Sequence, residues 1–370
     1  MGQTASLNIA VQQRFASGFA VTAALDVSFA PGSLLVLFGP SGAGKTTILR
    51  QIAGLERPDS GTIRFDGEVW CGGRQWRTPQ ERRVGVVFQE PTLFPHLTVG
   101  ENIRYGVRSR SGCGPTGSEA VSDPVEGLAT LLGVADLTNR LPRELSGGQA
   151  HRVALVRALA PGPRLLLLDE PFAALDAPTR LRLRKDVRSL LHKTGTPAVL
   201  VTHDRAEALA MGDLIAVVVD GRVCQVGPIA EVFSRPADVD VAASLGIEAV
   251  LPAYVLESSG GLLSVKVRDV VLQVADRDRI APGSDVYACI RAEDVTLELQ
   301  MAGQASTRNH LSARVVAIAP DGPIDRVSID CGFPLDALIT RRSCEELRLT
   351  PGAPVIAAIK ATSVHLMPRF

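Results

Sequence analysis

The sequence has little lysine, no excess of charge of either sign and no long apolar run. Only five of its 39 basic residues are lysine, and 39 acidic residues leave the 370-residue chain with a formal net charge of zero. A balanced charge argues against a nucleic-acid coat protein and against a polybasic membrane anchor. No stretch approaches the roughly 18 to 20 consecutive apolar residues that a membrane-spanning helix needs.

Cysteine is also sparse, and its placement does not match a metal-binding pattern. The six cysteines are scattered and include no CxxC pair. This pattern fits a reducing compartment and argues against a disulfide framework or a zinc site. The first residues, MGQTASLNIAV, have neither a basic segment nor an apolar core. We therefore expect no secretory signal.

The length predicts two domains, and the texture of the sequence changes at about residue 245. Residues 1–240 alternate short continuous apolar runs with helix-like segments, which predicts an α/β domain with a buried parallel sheet. The Gly/Ser/Pro-rich stretch 108–124 predicts an exposed loop. Residues 246–370 alternate apolar and polar positions between turn signals, which predicts a small all-β domain or two small β units.

The second region contains an internal duplication. The segments PGSDVYACIRAEDVTL, from Pro282, and PGAPVIAAIKATSVHL, from Pro351, share the pattern PGxxVxAxI[RK]AxxVxL. Arg291 takes the position of Lys360 in this alignment. We expect two half-modules, at about 246–300 and 305–370.

A phosphate-binding loop is the most specific motif. Residues 39–46, GPSGAGKT, satisfy GxxxxGK[ST] between the strand-like run Leu34–Phe38 and a predicted helix at Thr46–Ile52. In such a loop the N–H groups and the helix N-terminus bind phosphate, the lysine reaches the β- and γ-phosphates and the threonine binds Mg²⁺. A plain glycine turn is the alternative, but lysine is scarce here. The predicted nucleotide-binding residues are Gly39, Pro40, Ser41, Gly42, Ala43, Gly44, Lys45, Thr46 and Thr47.

Two further observations concern the base and the reaction. None of the five lysines follows an asparagine, so the guanine-reading Asn-Lys-x-Asp motif is absent and adenine is favoured. The apolar run Leu165–Leu168 leads into Asp169 and Glu170. Asp169 would make the second contact to Mg²⁺ through water, and Glu170 would act as general base on the attacking water. The alternative is an acid pair that faces solvent at the end of a strand.

The motif LSGGQ at Leu145–Gln149 stands about twenty residues before this acid pair. Together with the phosphate loop it makes the sequence resemble the ATP-binding subunits of ABC transporters. The resemblance implies a P-loop ABC ATPase domain with a helical subdomain. It also implies that Ser146, Gly147, Gly148 and Gln149 of one subunit close on ATP held by another.

The same resemblance assigns roles to other residues. Gln89 matches the Q-loop glutamine, which senses Mg²⁺ and the attacking water. Residues 174–176, ending at Asp176, match the D-loop, and His203 matches the switch histidine at the γ-phosphate. His151 departs from the family pattern, which has glutamine there, and would tune coupling between subdomains. The aromatic side chain that stacks on adenine is Phe15 by spacing, with Phe19 as the alternative.

The C-terminal region contains the segments STRNHL from Ser306, followed by SARVVAI, and ITRRSCEEL from Ile339, followed by PGxxVxAxIKATxV. These segments resemble the molybdate-binding module, called TOBE or Mop-like, and the resemblance implies a small all-β domain of the OB-like barrel type. The first half of the region lacks the SxRN segment. An ordinary barrel with surface charges is the alternative. The oxyanion ligands that the resemblance implies are Ser306, Arg308, Asn309, Lys360 and Thr362.

These resemblances imply the ATPase motor of a molybdate or tungstate importer, with ATP and Mg²⁺ as cofactors and the oxyanion as a regulatory ligand. Its partners would be a second copy, a membrane permease that docks after Gln89 around Leu93–Leu97, and an extracytoplasmic oxyanion-binding protein. It would lie at the cytoplasmic face of the membrane and bind no nucleic acid. Alternatives are the same motor for sulfate, ferric iron or sugar, a soluble ABC ATPase outside transport, and a molybdate-storage protein.

Overall fold

In a computed structural model of the chain, the described residues are 4–108, 124–173, 175–277, 279–300 and 306–369. The predicted exposed loop at 108–124 therefore lies, for residues 109–123, outside the described part. The internal contacts divide the chain into two compact units, Met1–Val232 and Phe233–Phe370. The sequence predicts a division of the same kind, with the change placed between residues 240 and 246.

The described part of the first unit contains one mixed sheet of eleven strands in the order β6-β5-β4-β1-β2-β11-β10-β3-β9-β8-β7. The strands are β1 (Ala5–Arg14), β2 (Ala20–Phe29), β3 (Leu34–Phe38), β4 (Ser60–Phe65), β5 (Glu68–Gly72), β6 (Gln75–Trp76), β7 (Val84–Val87), β8 (Leu165–Asp169), β9 (Ala198–Thr202), β10 (Leu214–Val219) and β11 (Arg222–Pro228).

Five neighbouring strands, β10-β3-β9-β8-β7, are parallel, as the continuous apolar runs predict. Every residue of β3, β8 and β9 is buried, because helices cover both faces of a parallel sheet. The sequence reading missed the antiparallel extension, in which β1 pairs with both β2 and β4. Their alternating burial places one face of the extension on the core.

The helices of the first unit are α1 (Lys45–Ala53), α2 (Pro79–Arg82), α3 (Val99–Arg108), α4 (Pro124–Leu131), α5 (Gly147–Leu159), α6 (Ala177–Thr194) and α7 (Arg205–Met211), while α8 (Ile229–Ser234) crosses the boundary between the units. Short 3₁₀ turns occur at Ala135–Leu137 and Pro142–Glu144. No helix in the described ranges is long and apolar enough to cross a membrane.

A buried arginine closes the C-terminal end of α1. Arg82 is 0% exposed and donates from Nη1 to the carbonyl oxygens of Gln51 and Ile52, at 2.5 and 2.8 Å. Its Nε donates to the Arg77 carbonyl at 2.9 Å, and burial lowers the pKa of Arg82 to about 10. A cation at this end is favourable because the last helical carbonyls carry partial negative charge. Arg82 thereby anchors the helix that carries the phosphate loop.

We predict that Arg82→Met lowers the free energy of unfolding by about 3 kcal/mol, because it leaves several buried carbonyl oxygens without a donor. Denaturant unfolding measures this. Arg74→Met is the control, since Arg74 is exposed, and it should change stability by less than about 0.5 kcal/mol. Equal, small effects of both substitutions would contradict the anchoring role.

The second unit is mostly β, as predicted. Its strands are β12 (Ala249–Ser259), β13 (Leu262–Val267), β14 (Val270–Ala275), β15 (Asp285–Ile290), β16 (Val295–Glu298), β17 (Asn309–Asp321), β18 (Ile324–Asp330), β19 (Pro334–Thr340), β20 (Pro354–Ile359) and β21 (His365–Pro368). Two short helices, α9 (Val239–Ser244) and α10 (Arg341–Glu346), and a 3₁₀ turn at Ala292–Asp294 accompany them.

These strands form two five-stranded sheets, β14-β13-β12-β15-β21 and β16-β20-β17-β18-β19. Each sheet takes four strands from one half of the unit and one strand from the other half. β21 pairs with β15, with Ala288 opposite Leu366, and β16 pairs with β20, with Leu297 opposite Ala357. One apolar cluster contains residues of both sheets. The expected half-modules are therefore joined by a reciprocal exchange of strands.

Candidate nucleotide-binding site

The phosphate loop opens into a pocket at the carboxyl ends of the parallel strands. Its lining comes from five places in the sequence: the β1–β2 turn, the loop, the start of α1, the segment after β7 and the end of β8. The described residues that line it are Phe15, Phe19, Ser41, Gly42, Gly44, Lys45, Thr46, Thr47, Gln89 and Glu170. Every one of these except Phe19 is in the predicted site, and Phe19 is the predicted alternative to Phe15.

The loop needs glycine where the backbone approaches a neighbouring strand. A Cβ on Gly39 would lie 2.0 Å from the carbonyl oxygen of Val218 in β10, so no side chain fits. Gly44, at φ 95°, is the N-cap of α1, and no side-chain cap is found for this helix in the described structure. The first N–H groups of α1 consequently keep their capacity to bind an anion.

Lys45 is held over the loop. It is 4% exposed, and its Nζ donates to the carbonyl oxygens of Gly39 at 2.8 Å and Pro40 at 2.7 Å. Burial lowers the pKa of Lys45, and the carboxylates of Glu170 and Asp169 act in the opposite direction. The two carboxylates offset only part of the cost of burying the Lys45 ammonium. An additional anion, such as a polyphosphate, would therefore bind favourably beside it.

Two acidic residues at the end of β8 face the loop. Thr46 Oγ1 donates to Asp169 Oδ1 at 3.0 Å, so two of the three residues predicted at the Mg²⁺ ion, which also include Gln89, are in contact. Burial raises the pKa of Asp169, and the neighbouring Glu170 adds to this effect. Hydroxyl and carboxylate oxygens are the ligand types that Mg²⁺ prefers. The residues present therefore fit a Mg²⁺ ion.

Glu170 has a left-handed backbone, with φ 44°. This conformation costs a non-glycine residue about 1 to 2 kcal/mol. Strain of this kind is concentrated at functional sites. The Glu170 Oε1 atom lies 3.1 Å from Nδ1 of His203, which follows β9. The predicted base and the predicted switch histidine are thus hydrogen-bonded to each other.

The two candidate aromatic side chains lie together in the β1–β2 turn. The ring centroids of Phe15 and Phe19 are 6.2 Å apart, and Phe15 N–H donates to the Phe19 carbonyl. Both are partly buried against the core and both line the pocket. The geometry therefore offers a surface of two rings for a base.

The LSGGQ segment is not part of this pocket. Ser146 caps α5: its Oγ accepts from Gln149 N–H, and the Gln149 side chain accepts from Ser146 N–H. None of the described lining residues comes from 145–149. Asp176 caps α6 by accepting from Thr179 N–H at 3.1 Å, and hydrogen bonds from the side chain and the N–H of Thr179 lower the pKa of Asp176. Residue 174 of the predicted D-loop lies outside the described residues.

His151 connects α5 to the segment that carries Gln89. The side chain is 2% exposed, with Nδ1 2.9 Å from the Gly147 carbonyl oxygen and Nε2 3.1 Å from the Gln89 carbonyl oxygen. Carbonyl oxygens only accept, so both nitrogens donate together only in the protonated ring.

Arg157, which sequence reasoning missed, donates to the carbonyls of Thr92 and Pro91, at 3.0 and 3.2 Å. The only sequence feature that could have indicated this role of Arg157 is its position as a cation within an apolar helical segment.

We predict that His151→Ala lowers the free energy of unfolding by about 1 to 3 kcal/mol, because the half-buried Gln89 carbonyl loses its donor. His151→Gln, which restores an N–H donor, should recover part of the loss. His192→Ala, at an exposed position on α6, is the control. Thermal unfolding of the three variants measures the effect, and equal stability of His151→Ala and the control would refute the bridging role.

The predicted oxyanion residues lie near the ends of β17 and β20. Asn309 pairs with Ile359, which places Arg308 and Lys360 opposite each other just beyond the pair. Asn309 is buried, and its amide donates to the carbonyls of Gln273 at 2.9 Å and Ile359 at 3.2 Å while its oxygen accepts from Gln273 N–H. This bonding argues against Asn309 as an anion ligand.

The remaining predicted residues of this set are exposed. Ser306, Arg308, Lys360 and Thr362 all reach solvent. The carbonyl of Thr362 accepts from Arg277 Nη2 at 3.2 Å. Two cations at the end of one strand pair leave Arg308 and Lys360 as the strongest candidates for contact with an anion.

Comparison with known proteins supports both units. The sequence family described as ABC transporter matches residues 23–173, and the TOBE domain matches residues 305–366. A dimeric post-hydrolysis structure of the ATP-binding cassette MJ0796, bound to ADP and Pi, is 28% identical to this chain with a TM-score of 0.52. The match covers 60% of this chain and 98% of that chain.

Two curated relatives differ in the extent of their match. The molybdate/tungstate import ATP-binding protein WtpC of Pyrococcus horikoshii is 37% identical, over 91% of this chain and 93% of the relative. The Fe(3+) ions import ATP-binding protein FbpC of Mesorhizobium japonicum is 42% identical, over 71% of this chain and 70% of the relative. The chain belongs to the ABC transporter family, among the ATP-binding proteins of importers, and is an ATPase that drives solute import.

Proposed function

We propose that the chain is the ATPase subunit of a molybdate or tungstate importer. The observation that supports molybdate or tungstate as the transported solute is the extent of the alignment. The match to the molybdate/tungstate protein covers 91% of the chain, whereas the more identical ferric-iron protein covers 71%. Most of the ATPase unit is common to importers, so the additional matched length is what distinguishes the cargo.

The ATP site is proposed to work through the residues that line the pocket. The N–H groups of the loop and of α1 bind the phosphates, with Lys45 reaching the β- and γ-phosphates. Thr46 would ligate Mg²⁺, with Asp169 acting through water and Gln89 completing the set. When bound, Mg²⁺ would neutralise the negative charge that develops on the phosphate oxygens. Phe15 and Phe19 offer their rings to the adenine.

Hydrolysis is proposed to depend on three side chains. Glu170 would accept a proton from the attacking water, and His203, at 3.1 Å from Glu170, is close enough to orient the carboxylate. His203 would also contact the γ-phosphate, as its match to the switch histidine implies. Gln89 is exposed at the pocket, where it can contact both Mg²⁺ and that water. In this proposal Glu170 is the residue that accepts the proton, while His203 and Gln89 position the reacting groups.

The position of the LSGGQ segment supports a two-copy mechanism. Ser146, Gly147, Gly148 and Gln149 do not line the pocket of their own chain among the described residues. We infer that they close on ATP bound by a second copy, next to Asp176. The dimeric state of the MJ0796 structure is consistent with this arrangement.

The motor is proposed to act on a membrane permease from the cytoplasmic face, with an extracytoplasmic protein delivering the oxyanion. The docking surface would be Leu93–Leu97, next to Gln89. Asn102 shapes it by donating to the carbonyls of Phe94, Leu97 and Thr98. Because His151 and Arg157 tie the main chain just before this surface, at Gln89, Pro91 and Thr92, to α5, movement of the signature helix would reach the permease.

We predict that Glu170→Gln retains ATP binding and lowers kcat by about 10² to 10⁴, because general-base assistance contributes that much. ATP affinity and single-turnover hydrolysis measure the two effects separately. Glu346→Gln, on the exposed side of α10, is the control. Normal turnover by Glu170→Gln would remove Glu170 as the base.

The cargo is tested with the subunit assembled with its permease in proteoliposomes that contain ATP. We expect ATP-dependent uptake of molybdate and tungstate, and loss of uptake with Glu170→Gln. Sulfate, ferric iron and a sugar are the comparison substrates. Uptake of one of these without uptake of molybdate or tungstate would overturn the cargo while leaving the ATPase assignment in place.

A further inference from the structure

The side chain of His203 has few contacts of its own. It is 51% exposed, and among the residues that the structure describes Glu170 is the one hydrogen-bond partner of its ring, at 3.1 Å. A side chain with so little packing around it takes its position from the main chain on either side. The groups that fix Thr202 and Asp204 therefore also fix His203 against Glu170.

The two neighbours of His203 are hydrogen-bonded to each other across it. Thr202 is 2% exposed, and its Oγ1 accepts from the N–H of Asp204 at 3.0 Å, which closes a backbone turn around His203. The strand before this turn is held as well, because the N–H of Glu170 donates to the Val201 carbonyl at 3.1 Å. The predicted base and the histidine turn thus stand on the adjacent ends of β8 and β9.

The Thr202 hydroxyl makes a second hydrogen bond, to a buried carboxylate. It donates to Oε2 of Glu207 at 2.6 Å, and Glu207 is 4% exposed. The N–H of Glu207 in turn donates to Oδ1 of Asp204 at 2.9 Å, so α7 begins on the same turn. A hydroxyl can donate and accept at one atom, whereas a valine side chain of the same shape can do neither. The turn therefore depends on the oxygen of Thr202.

Arg184 of α6 holds the other side of this carboxylate. Its Nη2 donates to Oε1 of Glu207 at 2.6 Å. Its guanidinium also lies 5.9 Å from the ring centre of Phe172, a fully buried residue that stands two positions after Glu170. Arg184 thus contacts both the carboxylate behind the histidine turn and the segment that follows the predicted base.

Stability alone does not account for these buried polar groups. A buried ion pair usually contributes no more to stability than apolar side chains of the same volume would. The buried Nε of Arg184 has no hydrogen-bond partner in the described part of the chain, which adds a cost. What the pair does provide is a fixed set of hydrogen bonds directly behind His203.

We propose that Thr202, Glu207 and Arg184 are positioning residues for ATP hydrolysis, which hold His203 in place against Glu170. None of the three is among the described residues that line the nucleotide pocket, so they act through His203 and touch no nucleotide. The inference rests on the proposed role of His203 in hydrolysis, and it names the groups on which that role depends.

The test is a double-mutant cycle on ATP hydrolysis by the full-length subunit assembled with its permease. Thr202→Val keeps the side-chain shape and removes the hydroxyl, and we expect kcat to fall about tenfold with KM for ATP changed less than about twofold, since misplacement of His203 slows the reaction and leaves the phosphate loop intact. In a His203→Ala background the same substitution should change kcat less than about twofold, because the residue through which it acts is gone.

Two further variants separate positioning from damage to the fold. Thr202→Ser restores the hydroxyl and should recover most of kcat. Glu207→Gln replaces one acceptor oxygen by an NH₂ group, so either Thr202 or Arg184 loses its acceptor. It should lower kcat only when His203 is present.

Thr296→Val is the matched control, because Thr296 is an exposed threonine on β16 of the second unit. It should leave both kcat and KM unchanged. A normal kcat in Thr202→Val, or equal losses in Thr202→Val and Thr202→Ser, would overturn the proposal. Losses that multiply when either Thr202→Val or Glu207→Gln is combined with His203→Ala would overturn it as well, while a low kcat in His203→Ala keeps the proposed role of His203. A normal kcat in His203→Ala would remove that role and this inference with it.

Discussion

The first turn of α1 presents N–H groups that must remain available for a ligand, and the surrounding structure is arranged around this requirement. Gly44 caps the helix without a side chain, and Gly39 lets the loop pass within contact of β10. Because the N-terminal end is left open, the helix is held elsewhere. Arg82 binds its C-terminal carbonyls from a fully buried position. The hydrogen bonds of Arg82 at the C-terminal end of α1 thus stabilise a helix whose N-terminal N–H groups are left available for a ligand.

The nucleotide-binding site of a single chain lacks the LSGGQ segment among its described residues, and in the proposed mechanism movement of a second copy completes it. The phosphate loop and Glu170 line one pocket, and Asp169 and His203 are hydrogen-bonded to Thr46 and Glu170 beside it, whereas the LSGGQ segment lines no described part of that pocket. His151 and Arg157 connect that helix to the main chain after β7. Since these bonds are made to backbone oxygens, the connection does not depend on which side chains follow Gln89. A movement of α5 can therefore displace the main chain after β7 through these hydrogen bonds.

The sequence predicted the parts of the fold that continuous apolar runs specify, such as β3 and β8, and the motifs predicted the lining of the pocket. It did not predict the antiparallel strands β1 and β2, whose alternating ten-residue patterns stand in a region where continuous apolar runs indicate a parallel sheet. The bonds of Asn309 to Gln273 and of His151 to Gln89 could not be predicted either. Each joins residues far apart in sequence, so it depends on tertiary placement and leaves no local pattern.

The exchange of β16 and β21 between the two sheets has a consequence for biosynthesis. The edge of the first sheet at β15 is paired by β21, so that sheet stays open along one side until residues 365–368 have been made. An open strand edge is a template for pairing with another chain. The first half must therefore wait, partly folded, through the synthesis of the second, and its folding is bound to contacts of long sequence separation, which form slowly. A duplication that could have produced two early-folding modules instead produced one late-folding unit.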